Sequence, residues 1–171
     1  MVAGGVLKPG DEVVVLPSGM TSKIAGIDLF DKEITEAFPP MSVTLRLRDD
    51  LDLSRGDMIV RTDNLPTVSQ DLDLMLCWLH ERPLDPRREY LIKHTSRIAK
   101  CQVKEILYTV DINTLHRNLG QKTVGVNDIA RVRIRATVPL FSDAYEKNKD
   151  TGSVIIIDEG TGETVAGGMI R

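Results

Sequence analysis

The sequence has few aromatic residues and no long run of charge of one sign. Of its 171 residues, one is Trp, three are Tyr and three are Phe, and the formal net charge is -3. A nucleic-acid partner requires a basic face that neutralises phosphate and, for single strands, aromatic side chains on which bases stack. This composition argues against such a partner, and we expect no nucleic acid to bind.

Cysteine is scarce, and long apolar runs are missing. The two cysteines, Cys77 and Cys101, could pair, but the first residues contain neither a signal peptide nor an apolar stretch long enough to span a membrane. We therefore expect reduced thiols in a cytoplasmic protein that has no membrane partner. The length of 171 residues is enough to bury a core in one ordinary or two small domains without disulfides.

Charge is divided unevenly along the chain. Residues 1–65 carry 7 basic and 11 acidic side chains, whereas the remainder carries 15 basic and 14 acidic side chains. Residues 61–71 form a polar stretch with one proline and no hydrophobic periodicity, which is typical of a connection. We predict two domains, one at residues 1–65 and the other at residues 66–171.

Strict alternation of apolar and polar residues occurs twice, in MSVTLRLR at residues 41–48 and in RVRIRATV at residues 131–138. This alternation at every second residue predicts strands with one buried face and one solvent-exposed face. We interpret Arg131, Arg133 and Arg135 as the solvated exterior of a barrel. Turn signals recur about every eight to twelve residues, which is typical of all-β barrels and sandwiches.

Residues 71–80, DLDLMLCWLH, have apolar residues at both helical and strand spacing. Pro83 and Pro86 interrupt the run before a helix reaches typical length, so we predict a strand, with Trp78 in the core. The segments around Gly26 and after Cys101 change their buried face partway. A β-bulge in each segment would explain that change.

No catalytic or metal-binding constellation can be argued from spacing. The triplet DTG at residues 150–152 has no second copy, although an aspartic protease needs two such carboxylates. On a strand, the spacing of Cys77 and His80 sends their side chains to opposite faces, which does not suit a shared metal ion. We expect no catalytic residue, no metal ligand and no cofactor-binding residue in this chain.

Two long stretches resemble a known family. Residues 7–60, which include PSG, TSKI and RGDMIV, resemble the second β-barrel domain of elongation-factor-like GTPases, in the version found in the large (GTPase) subunit of bacterial sulfate adenylyltransferase, or ATP sulfurylase. The motifs WLHERPL, VDINTL and TGSVIIIDE resemble that subunit's third domain. The resemblance implies an all-β fold of two elongation-factor-like β-barrels, the first truncated at an N-terminal strand that would lie before Met1.

The resemblance also implies a role in sulfate activation. In the parent enzyme, GTP hydrolysis drives adenylyl transfer from ATP to sulfate, which gives adenosine 5′-phosphosulfate and pyrophosphate. GTP and Mg²⁺ would bind the GTPase domain, which is missing from this chain, and the transfer chemistry would lie on a separate small catalytic subunit. The barrels would act as a lever and as a docking surface, inactive alone. The parent would be either a separate subunit or a form fused to an adenylylsulfate kinase domain.

The stretch YTVDINTLHR is the best candidate for partner contact or for relaying the nucleotide state. Four polar residues lie there, at the expected end of a long strand: Asp111, Asn113, Thr114 and His116. Alternatively, Asp111 and Asn113 only shape the turn, because their side chains readily bond nearby backbone groups.

A second hypothesis is a fragment of a translational GTPase whose barrels contact tRNA or ribosomal RNA. The acidic first part of the chain and the shortage of basic clusters argue against it. A barrel without its first strand has unpaired backbone groups along an edge. We therefore expect a first domain that is open-sided, less ordered than the second, or paired with another chain.

Overall fold

The computed structural model describes residues 1–121 and 123–171, and that part of the chain consists of twelve strands joined by turns, with no helix. The chain divides into two compact units, Met1–Pro66 and Thr67–Arg171. The prediction of an all-β fold is confirmed.

The first unit is a five-stranded antiparallel sheet. Its strands are β1 (Glu12–Leu16), β2 (Thr21–Leu29), β3 (Lys32–Ile34), β4 (Thr44–Leu47) and β5 (Met58–Arg61). β2 pairs with β1, β3 and β4, and β1 also pairs with β5. Within residues 1–66, all of which the structure describes, no ladder joins β5 to β3 or β4. The first unit is therefore open-sided, as predicted.

A bulge in β2 makes room for an ion-pair network. The register between β2 and β4 shifts between Ile24 and Gly26, which confirms the predicted bulge. A Cβ atom at Gly26 would overlap the guanidinium group of Arg46. That group binds Asp28 (Nε to Oδ2, 2.8 Å) and Glu33 (Nη2 to Oε1, 2.7 Å). The absence of a side chain at Gly26 thus leaves space for this guanidinium group, which would have to shift if a Cβ were present.

The second unit is a closed barrel. Its strands are β6 (Thr67–Trp78), β7 (Glu89–His94), β8 (Arg97–Val110), β9 (Arg117–Asn118), β10 (Ile129–Ser142), β11 (Ser153–Asp158) and β12 (Thr164–Ile170). Six of them pair in the order β10, β6, β12, β11, β7, β8, and β8 pairs again with β10 to close the ring. β9 pairs with the end of β8. The ambiguous segment at residues 71–80 is thus a strand through Trp78, as predicted.

Closure depends on irregularities in the longest strands. Opposite β10, the register of β8 shifts twice, between Arg131 and Val132 and between Arg133 and Ile134. These shifts confirm the bulge predicted after Cys101, and bulges increase local bending and twist. The barrel can therefore curve enough for β8 to reach both β7 and β10.

The barrel core is built from the alternating residues of its strands. Trp78 is buried, lies edge-on to Tyr90 with ring centroids 5.9 Å apart, and donates its Nε1–H to the carbonyl of Arg82 at 2.8 Å. The exterior arginines form ion pairs across strands: Arg131 with Asp73 (2.7 Å), Arg133 with Glu105 (3.1 Å) and Arg135 with Asp71 (3.0 Å). Both the core role of Trp78 and the outward arginines are confirmed.

Candidate functional site

The four predicted contact residues lie together in the exposed loop between β8 and β9. Asp111 shapes this loop, because its Oδ1 accepts hydrogen bonds from the backbone N–H groups of Asn113 (2.8 Å) and Thr114 (3.1 Å). The backbone N–H groups of Thr114 and Asn113 hold the pKa of Asp111 below its ordinary value. The hydroxyl of Thr114 accepts a longer hydrogen bond from the backbone N–H of His116 (3.4 Å).

This geometry supports a turn-shaping role for Asp111. The carboxylate is already engaged by the loop's own backbone, so a partner would meet a preformed surface rather than a free anion. The contact or relay role of Asp111, Asn113, Thr114 and His116 stays a prediction.

Sequence reasoning missed the apolar side chains that the same loop exposes. Ile112 and Leu115 in this loop and Leu119, which directly follows β9, are exposed by 62%, 76% and 69%, and we call these three residues the loop tip. Leu115 adopts a φ of +60°, a left-handed conformation that is uncommon for a residue with a branched side chain. The only signal in the sequence is that these apolar residues fall in a segment without strand alternation.

An open cleft of about 310 Å³ lies beside the loop. It is lined by the start of the loop and by the turn that precedes β10, including Val126 and Asp128. Gln121, which follows β9, has an Oε1 that accepts a hydrogen bond from the Thr109 hydroxyl (3.2 Å) and an Nε2 that donates one to the carbonyl of Thr123 (3.0 Å). The end of β8 is thus tied to the segment that follows β9.

A second loop of the same unit carries three arginines. The segment at residues 79–88, which we call the arginine loop, connects β6 to β7. Arg82, Arg87 and Arg88 line a cleft of about 630 Å³. The motif WLHERPL indicated only a family resemblance, and this arginine cluster was not predicted, although residues 82–88, RPLDPRR, contain it.

A buried carboxylate lies behind the arginine loop. Asp158, at the end of β11, is 3% exposed and accepts hydrogen bonds from the backbone N–H groups of Gly160 (2.8 Å) and Thr161 (3.2 Å). Burial alone would raise the pKa of Asp158, but these N–H groups and the nearby Arg88 and Arg82 outweigh it, and the pKa lies below its ordinary value. Asp158 is therefore an anion at neutral pH.

The two cysteines and the arrangement of potential metal ligands can be described for residues 1–121 and 123–171. Cys77 and Cys101 are both free thiols, and burial raises the pKa of Cys101 to about 12, so this residue is no thiolate nucleophile at neutral pH. Among residues 1–121 and 123–171, no group of three His, Cys, Asp or Glu side chains could hold a metal ion. The described residues also include no helix able to cross a membrane.

Comparisons with known proteins relate this chain to a family. A family model described as GTP-eEF1A C-terminal domain-like matches residues 71–171. The bifunctional enzyme CysN/CysC of Mycobacterium tuberculosis is 47% identical over 170 residues, which cover 99% of this chain and 28% of that protein. Sulfate adenylyltransferase subunit 1 of Bacteroides fragilis is 44% identical over 169 residues, which cover 99% of this chain and 35% of that protein. The chain thus spans about a third or less of these relatives.

Solved structures agree on the fold. The crystal structure of sup35 complexed with GDP has a TM-score of 0.87 to this chain at 20% identity and covers 98% of this chain and 41% of that one. This likeness supports the elongation-factor-like barrel assignment for the fold alone.

Proposed function

We propose, because this chain belongs to the GTP-eEF1A C-terminal domain-like family, that it is the barrel region of the GTPase subunit of a cytoplasmic sulfate adenylyltransferase. One observation carries the proposal: relatives named sulfate adenylyltransferase subunit 1 or CysN/CysC are 40–47% identical to it over nearly its whole length. This identity includes the first unit, which the family model does not reach. The translational alternative has less support, since the likeness to sup35 is at 20% identity.

In this proposal the chain contributes shape rather than a reacting group. The parent transfers an adenylyl group from ATP to sulfate and hydrolyses GTP. GTP and Mg²⁺ bind the parent's GTPase domain, and the transfer takes place on a small catalytic subunit. The parent is a separate subunit or a fusion with adenylylsulfate kinase. A non-catalytic role is supported by the engagement of Asp111 in a turn and of Arg131 and Arg135 in cross-strand ion pairs.

A lever role is supported by the construction of the second unit. In a closed barrel the backbone hydrogen bonds run around the whole ring, so the strands move as one body and leave only the loops free to adapt. The cross-strand pair of Arg131 and Asp73 joins β10 to β6 on the outside of that ring. A change in the GTPase domain would thus be passed on as a displacement of a rigid body.

A docking role is supported by the loop between β8 and β9. Its exposed apolar side chains, Ile112 and Leu115, lie in the same segment as the polar residues Asn113 and His116, and the exposed Leu119 follows β9. Apolar anchors surrounded by polar groups are typical of the energetically dominant part of a protein interface. In the proposal, this loop contacts the small catalytic subunit.

Calorimetric titration of the 171-residue chain with the small catalytic subunit from the same organism tests this docking. We expect saturable binding, weakened by about tenfold or more in Leu115→Asn, because central apolar anchors carry more than about 1.4 kcal/mol each. Asparagine tolerates the left-handed backbone of Leu115, so the turn is kept while the apolar side chain is removed.

Phe30→Asn is the matched control. Phe30 is also an exposed apolar residue with a positive φ, +54°, but it lies at the turn between β2 and β3. The affinity of this control for the small catalytic subunit should equal that of the unsubstituted 171-residue chain. No binding by a folded chain, or equal weakening in both variants, would contradict docking through the loop tip.

A further inference from the structure

The arginine loop is fixed to the barrel rather than free in solvent. Its carbonyl at Arg82 accepts the indole N–H of Trp78 (2.8 Å), and the backbone N–H of Leu84 donates to the carbonyl of Val124 (2.9 Å). The hydroxyl of Tyr90 lies 3.2 Å from both the backbone nitrogen and the carbonyl oxygen of Asp85. Leu84 is itself buried in the core. The three arginines therefore extend from a backbone with little freedom.

Two carboxylates orient the guanidinium groups and leave most of their donors available. Asp158 lies 3.1 Å from Nη1 of Arg88 and 3.8 Å from Nη2 of Arg82. Asp85 lies 3.2 Å from Nε of Arg87. One nitrogen makes the shortest approach in each pair, and each guanidinium has several N–H donors in a planar fork. The remaining donors can bind a further anion.

The cleft carries more positive charge than the fold requires. Three guanidinium groups face two carboxylates, in a chain whose formal net charge is -3. Arg88 is enough to pair the buried Asp158, and Arg87 is 91% exposed at its side chain and pairs with its near neighbour Asp85. Neutralising Asp158 therefore does not explain why Arg82 and Arg87 point into the same cleft.

We propose that the arginine loop binds a tetrahedral oxyanion, a phosphate or sulfate group, through Arg82, Arg87 and Arg88. Guanidinium groups are suited to this ligand because two parallel N–H donors match two oxygens of one oxyanion. The cleft of about 630 Å³ is large enough for the oxyanion as a free ion or as part of a small molecule. This binding site is separate from the loop tip and does not depend on the proposed function.

The test is a titration of the 171-residue chain with inorganic phosphate, sulfate and pyrophosphate in turn at constant ionic strength, followed by the amide resonances of the non-proline residues in the range 82–88. The variant is Arg82→Gln combined with Arg87→Gln, which leaves Arg88 to pair Asp158. Loss of two charge-assisted contacts should weaken binding by about tenfold or more.

The matched control is Arg133→Gln combined with Arg135→Gln, which removes the same charge from the barrel exterior, where each arginine also pairs with one carboxylate. The anion affinity of the control should stay within about twofold of that of the unsubstituted chain, because exposed charges at a distance are screened by salt. Trp78 fluorescence reports whether each variant is folded, since the indole holds the carbonyl of Arg82.

Saturation by phosphate or sulfate would support a single-ion site, and preferential saturation by pyrophosphate would support a site for linked phosphates. Equal weakening in both double variants would overturn the proposal, because the effect would then be one of overall charge. The absence of saturable shifts with all three anions would also overturn it. So would saturation by an oligoglutamate peptide alone, which would make the occupant a carboxylate.

Discussion

The first unit covers a small core with an open sheet, whereas the second fills a closed barrel. The buried apolar cluster of the first unit consists of Val2, Val13, Ile24, Ile27 and Ala37. In the second unit the corresponding cluster has 22 buried residues among those described. Ring closure accounts for the difference, because in a barrel alternate residues of every strand face a common interior. We expect the second unit to be the more stable of the two and the less tolerant of changes in its core.

Trp78→Ala should have the largest effect, since it removes the largest aromatic side chain of the barrel core. We expect the barrel to lose about 3–5 kcal/mol of unfolding free energy, from the cavity beside Tyr90 and from an unpaired carbonyl at Arg82. Urea denaturation followed by circular dichroism measures the loss. Phe30→Ala, at a side chain that is 94% exposed in the first unit, should change stability by less than about 0.5 kcal/mol. Similar losses in both variants would remove the contrast between the units.

Ile92→Ala and Ile27→Ala compare the two cores directly, because both side chains are fully buried. Each should cost about 2–5 kcal/mol, with Ile92 near the upper end, since an open sheet can collapse around a cavity more readily than a closed ring. Native-state hydrogen exchange of amides in β7 and in β2 measures the two losses separately. A larger loss of stability for Ile27→Ala than for Ile92→Ala would show that closure of the barrel does not determine the cost of a cavity.

Asp73→Asn tests an ion pair on the barrel wall. Hydrogen bonding to Arg131 lowers the pKa of Asp73, against the opposing effect of burial. A carboxyl whose folded pKa lies below its unfolded value of about 3.9 contributes stability above that pH and loses it as the pH falls through the folded pKa. The variant should therefore lose up to about 1 kcal/mol of unfolding free energy at pH 7. Near pH 2 its stability should approach that of the unsubstituted chain.

The matched variant for this pair is Asp28→Asn in the first unit. Its partner Arg46 has a side chain that is 50% exposed, against 31% for Arg131, so water screens the pair more strongly. We expect Asp28→Asn to lose less unfolding free energy at pH 7 than Asp73→Asn. Urea denaturation measures the loss, and hydrogen exchange assigns it to one of the two units. A pH-independent loss in Asp73→Asn would show that packing, rather than charge, is responsible.

His94→Gln tests a pH-dependent contribution of the barrel core, in addition to a pH-independent packing cost that follows from the full burial of the side chain. Burial lowers the pKa of His94, and the 2.7 Å hydrogen bond from Nε2 to the carbonyl of Thr151 works in the opposite direction. The unfolded chain takes up a proton near pH 6.5, where the folded chain does not, so stability falls as the pH drops below about 6.5 towards the folded pKa. The glutamine variant keeps a donor for Thr151 and should flatten the slope between about pH 7 and pH 5. Urea denaturation followed by Trp78 fluorescence at several pH values measures the slope of stability against pH. An unchanged slope in the variant would show that other titrating groups cause the pH dependence.

The sequence was informative wherever structure follows from near neighbours. Alternation predicted β4 and β10, the bulge in β2 and the outward direction of Arg133 and Arg135, because the side chains of a strand change face at every residue. It also located the loop after β8 and the possibility that Asp111 shapes a turn. The exposed Leu115 and the arginine loop were missed. Exposure and clustering depend on what other parts of the chain cover or bring near, and no local pattern encodes that.

The sequence by itself determined the strands, their buried faces, the turn residues and the family. These depend on short-range periodicity, on residue types that suit turns and on extended motifs. Only the tertiary structure decided which strands become neighbours, including the return of β8 to β10 that closes the second sheet. It also decided that Asp158 lies buried beside Arg82 and Arg88, which are distant in the sequence. The physical reason is that hydrogen bonding and burial between remote strands depend on the curvature of the whole sheet, to which every strand and bulge contributes.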